Sequence, residues 1–274
     1  MTRISRKWIV GTVVLLSVGS IAVVLEFDRR RRLNEHPRHL SQASGRAVTG
    51  PADLALQFAD SNRFQEFCLK VNEKYLRMNA RYKSSQHRRR QRSRQVDSNG
   101  KALADEDLVE FVDFQNGIER HRTVEQFDRI AERKIEGESP LQKSLAVGKA
   151  PFTYAFSPES KWNDFEYKFV GVEVLDGVVV IKLEYTPNPP FGRKIAGTVW
   201  ADAETGQPIR FHGRWFKPSF GIDKYEMAVK YGVSENGEHQ IRSIEIDGAG
   251  GALIFTRHYL INIEFDDYRP PERR

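Results

Sequence analysis

Apolar and polar positions divide the chain into three unequal stretches. The first is Trp8 to Leu25, WIVGTVVLLSVGSIAVVL, 18 residues without a charge. That is the lower edge of what crosses a bilayer as a helix. Arg3, Arg6 and Lys7 precede it, and a basic start before an apolar run also fits a secretory signal. Ser20-Ile21-Ala22 satisfies the small-x-small cleavage rule, but the cut falls inside the apolar run. An uncleaved anchor is the preferred reading. The second stretch, residues 28–50, lacks apolar periodicity and reads as a linker. The resulting division is an anchor or signal over 1–27, a basic linker over 28–51, a folded body over 52–269 and a tail over 270–274.

Within the body, Leu54, Phe58, Phe64, Phe67, Leu69, Val71, Tyr75 and Leu76 recur at near-helical spacing, which predicts a helix over 52–78 with Asp53 as a cap. Residues 79–96 read as extended and polar, closed by the SNGK turn at 98–101. DLVEFVDF (107–114), a QNG turn and 118–125 predict a hairpin. Residues 125–148 have helical character, broken by Gly137 and Pro140. From 152 onward the pattern is that of strands. Phe165, Tyr167 and Phe169 alternate with polar neighbours, as do Val179, Ile181, Leu183 and Tyr185 after the LDG turn. Ile209, Phe211 and Trp215 oppose Arg210, His212 and Arg214, and Tyr225, Met227, Val229 and Tyr231 follow. A last strand over 252–267 lines up Leu253, Phe255, Tyr259, Ile261, Ile263 and Phe265. Gly248–Gly251 reads as a link between two strands. It does not open a helix, so phosphate binding is not expected. Successive strands on short turns give an antiparallel meander, hence an α+β fold. Its wide apolar face needs a cover, and the helix at 52–78 and the stretch at 125–148 are the candidates.

Charge changes this picture in one respect. The chain has 274 residues and a net charge of +6. Residues 1–50 hold nine Lys/Arg against three Asp/Glu, so the body is neutral overall. Within it, residues 81–101 carry eight basic groups and one acidic. Arg88, Arg90, Arg92 and Arg94 share one strand face there, with His87 and Arg89 opposite. Such a row fits an anionic lipid surface or envelope polymer and, less well, nucleic acid. The aromatic residues that single-strand binders interleave are missing from it. The ordinary alternative, a solvated face paired with acids such as the Asp105–Asp113 run, is the preferred one. One cysteine, Cys68, excludes an internal disulfide and reads as core filler. His36 and His39 lie in the linker and read as part of a solvated tether. No HExxH, P-loop, G-x-S-x-G or dinucleotide motif occurs. Asp266 and Asp267 point to opposite faces of a strand. The chain is therefore read as a non-enzyme with no catalytic residue, no metal and no cofactor.

The hairpin GTVWADAETGQPIRFHG (197–213) resembles that of the LolA/LppX-like outer-membrane lipoprotein-sorting superfamily, through Trp200, Asp202, Gly206 and Pro208. The ending FTRHYLINIEFDDYR (255–269), with Phe265 and Tyr268, and the stretch 82–101 look like those of uncharacterised envelope members. The resemblance spans roughly 55–268. It implies a strongly curved, half-barrel antiparallel sheet packed over a few helices, whose concave apolar side holds acyl chains. It supplies no catalytic residues. On it, Ile181, Phe211, Trp215, Phe255 and Tyr259 are expected to line the cavity, with a lipid or acylated protein as partner. Export to the periplasm rests on the same resemblance, because the arginines on both sides of the apolar run leave orientation open. A tether departs from the soluble carriers. It suits a sensor or interaction module of RseB-like fold with a membrane protein as partner. A binder of nucleic acid or acidic polymer, facing the cytoplasm, is the third reading.

Overall fold

Asp60 divides the N-terminal helical region in two. Its carboxylate accepts hydrogen bonds from the backbone N–H groups of Asn62 (2.8 Å) and Arg63 (3.4 Å), satisfying donors that the first helical turn leaves free. The expected single helix is therefore α1 (Pro51–Phe58) followed by α2 (Ser61–Tyr82). Pro51 opens α1, where its fixed φ and missing N–H do no harm. On α2 the buried side chains are Phe67, Cys68, Val71, Tyr75 and Met78, one stripe at helical spacing. The computed structural model describes residues 51–269 except 59, 116–117, 138, 140, 142–153, 157–159, 191–193, 217–221, 235–236, 238 and 253–254. The apolar run at 8–25 and the linker lie outside the described residues.

Eleven strands follow: β1 (Gln86–Val96), β2 (Ala102–Gln115), β3 (Ile118–Asp128), β4 (Arg133–Lys134), β5 (Phe165–Leu175), β6 (Val178–Pro187), β7 (Ile195–Asp202), β8 (Pro208–Trp215), β9 (Ile222–Val233), β10 (His239–Ala252) and β11 (Phe255–Arg269). They form one open antiparallel sheet in the order β4-β3-β2-β1-β11-β10-β9-β8-β7-β6-β5. Tight turns explain the hairpins. Asp176 and Gly177 both take positive φ (52° and 81°), as a two-residue hairpin loop matching strand twist requires. The pairing that local turns cannot supply is β1 with β11, for example Gln91 opposite Ile263.

Two expectations are corrected here. Residues 118–128 are strand β3, so the helical reading of 125–148 fails over its first residues; 142–148 lie outside the described residues. Gly248 to Gly251 are paired strand residues of β10, opposite Tyr259 to Thr256 of β11. Regular backbone pairing continues through them, where the sequence suggested a link between strands.

The two edges of the sheet, β4 and β5, are consecutive in the chain. Ten strand spacings of about 4.8 Å separate them in a flat sheet, ~48 Å. The connection over 135–164 has ample reach, because an extended chain gains about 3.3 Å per residue. It crosses the helix-bearing face: Leu141 is buried against Tyr259 and Ile261, and Tyr154 and Phe156 pack in the core under α2. Residues 155–156 form a turn, where the sequence read strand from 152 onward. No helix among the described residues is long and apolar enough to cross a membrane.

Candidate functional site

Alternation along each strand sorts residues onto an inner face, which α2 covers, and an outer face. Phe211 of β8 pairs in register with Val199 of β7 and Val229 of β9, and all three are buried under α2. Ile181 and Leu183 continue the surface on β6 with no exposure. Tyr185 stacks along Phe211 at 6.2 Å, and Phe156 meets Tyr75 in a stacked pair at 5.1 Å. The strand pair β7–β8 leaves room for these rings through Gly197 and Gly213, which face each other in register. A Cβ on Gly197 would stand 2.7 Å from the His212 carbonyl oxygen and 2.8 Å from the Tyr185 hydroxyl. Burial drives the hydroxyl pKa values of Tyr75, Tyr185 and Tyr231 well above 10, so all three stay protonated.

The expected cavity residues fall into separate groups. Ile181 and Phe211 belong to the cluster under α2. Trp215 is buried at the end of β8. Tyr259 belongs to a second cluster with Ile261 and Leu141, against which Ala104, Ile246 and Ile263 pack. Phe255 pairs with Ala252 in β11, and its side chain lies outside the described residues. Leu141 lies in the 125–148 stretch that the sequence offered as a cover for the apolar face, whereas Tyr154 and Phe156, which also close that face, fall where the sequence read strand.

Towards β1 and β2 the inner face turns polar. Glu106 is buried and accepts hydrogen bonds from Ser139 Oγ (2.6 Å) and Gln126 Nε2 (3.4 Å). Gln91 Nε2 donates to Ser93 Oγ at 2.8 Å. His87 is buried in a box of Tyr82, Phe265 and Tyr268, with ring centroids 4.8, 5.6 and 5.0 Å away. Neither imidazole nitrogen has a hydrogen-bond partner among the described residues. Burial, with Arg89 and His121 nearby, lowers its pKa to about 4. Cys68 is likewise enclosed, and burial pushes its thiol up to about 12, far from the range of a reactive cysteine.

The outer face carries the arginine row, alongside acidic residues of the adjoining strands. Asp105 of β2 is buried and accepts from both Arg92 (2.9 and 3.1 Å) and Arg94 (2.7 and 3.0 Å). Burial by itself raises a carboxyl pKa; here the two guanidinium groups outweigh it and hold Asp105 below the usual range. Arg90 pairs with Asp266 of β11 at 3.0 Å. Arg88 makes no ion pair among the described residues; it lies in register with Phe111 of β2. Arg89, on the inner side, pairs with Glu110. Glu110, despite burial, is held low by His121 and Arg89. Among the described residues no group of three or more His, Cys, Asp or Glu could hold a metal ion.

No protein-family model and no curated protein matches the chain. Solved structures do match over most of its length. It is similar to a DUF1329 family protein from Desulfovibrio piger, at 12% identity over 74% of this chain and 93% of that one, with a TM-score of 0.38. A putative outer membrane lipoprotein-sorting protein domain from Vibrio parahaemolyticus is 11% identical over 74% and 93%, with a TM-score of 0.35. A LolA superfamily protein from Nitrosomonas europaea is 11% identical over 77% and 94%, with a TM-score of 0.33. The superfamily that the β7–β8 hairpin resembles is thus represented among them. Likeness of this degree carries no ligand or partner from those proteins to this chain.

Proposed function

We propose that the chain is a non-enzymatic envelope protein, held at the inner membrane by its N-terminal segment, whose body faces the periplasm and binds an acyl chain of a lipid or lipoprotein. In this reading the sheet curves around the ligand as a half-barrel. The observation that carries it is the reach of the inner face. Apolar surface continues from the cluster under α2 to a second cluster at Tyr259 and Ile261, over which the β4–β5 connection lays Leu141. A hydrocarbon chain is matched by such a surface, and the polar end of an amphiphile by the buried Ser93 and Glu106 and the half-buried Gln91 beside it. Tyr259 touches the ligand, while Ile181, Phe211 and Trp215 form the floor further in, and Phe255 extends the same strand.

The test uses the full chain purified from membranes. Native mass spectrometry and solvent extraction should recover bound amphiphile, and a fluorescent fatty acid should bind and be displaced by it. Ile246→Glu places a charge on the second cluster and should weaken uptake about tenfold or more. A lipid-free chain that takes up no fatty acid overturns the proposal. A reporter enzyme fused after Arg274 and active only in the cytoplasm overturns the periplasmic part.

A further inference from the structure

Charge on the outer face runs in rows that follow the strands. β1 carries the arginine row. The strands on both sides supply acids: Asp105 of β2 binds Arg92 and Arg94, and Asp266 of β11 binds Arg90. Beyond β2 comes β3, whose outer-face residues include Arg120 and Arg122, in register with Asp113 and Phe111. Neither arginine makes an ion pair among the described residues. Arg122 instead lies over the Phe111 ring, 5.2 Å from its centroid. The next strand, β4, pairs only with Phe127 and Asp128, so it stops short of both arginines. Residues 118–125 are all exposed, with Ile118 67% and Val124 54% accessible.

A strand paired on one side presents free N–H and C=O groups on the other, a template for one more strand. Charges along such an edge resist indiscriminate pairing, and they also select the sign of an acceptable partner. A second copy of β3 fits poorly. Antiparallel pairing centred on His121 would set Arg120 opposite Arg122, a like-charge pair. On the outer face acidic and basic strands alternate from β11 to β2, and β3 adds Arg120 and Arg122 with no acidic strand beyond them among the described residues.

We propose that the free edge of β3 is a strand-addition site for an extended acidic segment of a partner protein. The added strand pairs with the backbone over 118–125. Its carboxylates, on alternate residues, meet Arg120 and Arg122 on the outer face, and the small apolar residues between them fall on the opposite face, beside Glu119, His121 and Thr123. Backbone pairing provides affinity and the two arginines provide selection. The site faces away from the acyl surface and stands or falls independently of it.

The probe is a labelled peptide of about eight residues alternating glutamate and valine, long enough for one strand. It is titrated against the full chain by fluorescence anisotropy. Binding should weaken as salt rises, and amide exchange should slow over 118–125. The double variant Arg120→Glu/Arg122→Glu alters only exposed side chains, and unchanged thermal unfolding checks its fold. It should lose about tenfold or more in affinity and should gain binding of the matching lysine–valine peptide. A peptide N-methylated along one edge should fail to bind. The proposal is overturned if the glutamate peptide does not bind, if the lysine peptide binds wild type equally well, or if protection appears elsewhere. Retained affinity in the variant, equal binding of the N-methylated peptide, or tighter binding of an oligonucleotide of equal charge also overturns it.

Discussion

Gly197 and His87 show how single positions constrain this sheet. At Gly197 the backbone of β8 and the Tyr185 hydroxyl occupy the space of a side chain, and one contact is to a carbonyl oxygen that cannot swing away. Gly197→Ala should lower stability by about 1–3 kcal/mol. Gly171→Ala, where nothing lies within 4 Å, is the control and should change it little; thermal unfolding measures both. His87 is a base enclosed by rings. Its unfolded form takes a proton near pH 6.5 and its folded form only near 4, because burial, Arg89 and His121 oppose the charge. Between those values the unfolded chain binds more protons, so the contribution is complete above pH 6.5 and is lost as pH falls to 4. The amount is about 3 kcal/mol for the full span. Denaturant titrations across this window should show stability falling with pH, and His87→Phe should flatten the slope. An unaltered slope in the variant would place the titration elsewhere.

At the scale of elements, β1 is an unusual central strand. Its sequence QHRRRQRSRQV resembles an edge or a loop, yet it is paired on both sides along its length. It holds that place because its arginines find acids on both flanking strands, and because Ser93, Gln95 and His87 are buried on the inner face. Ser93→Pro removes a backbone donor from this doubly paired strand and should cost about 3 kcal/mol or more. Ser93→Ala, which loses only the contact with Gln91, should cost about 1 kcal/mol. Hydrogen exchange would show Ser93→Pro exposing both β2 and β11. The β7–β8 turn is built differently. Asp202 accepts from the Thr205 N–H (2.6 Å) and hydroxyl (2.7 Å), Gly206 takes φ 70°, and Lys70 of α2 bonds the Glu204 carbonyl. The hairpin that carries the lipoprotein-sorting resemblance is thus also where helix and sheet are joined.

For the whole molecule, the chain that runs from one sheet edge to the other matters most. Phe156 is its deepest anchor, in contact with Tyr75, Tyr167 and Tyr185. Phe156→Ala should destabilise by about 3–5 kcal/mol. It should also release the connection from the inner face, read as increased binding of a hydrophobic dye under native conditions. Loss of stability without added dye binding would mean that the rest of the segment holds the cover alone. Pairing of β1 with β11 joins residues more than 160 positions apart, as in Gln95 with Tyr259. Folding to the complete sheet is accordingly slow relative to hairpin formation.

Period-two alternation and Asx-Gly turns made most of β5 to β11 readable in the sequence, because both are local properties of backbone and side chain. Apolar spacing located α2, and the absence of motif spacing left no catalytic expectation. Phe211, Ile181 and Tyr259 were legible as apolar-face residues for the same reason. Which of them share a cluster was not, since that depends on strand order. The β1–β11 joint, the crossing of 135–164 and the short edge strand β4 were also hidden. No local pattern encodes a pairing between distant strands, and an arginine row reads as solvated until tertiary structure sets carboxylates beside it. The sequence determined the faces of the strands. Only the folded chain decided how the cover lies on the inner face and in which order the strands pair, because both rest on contacts between distant segments.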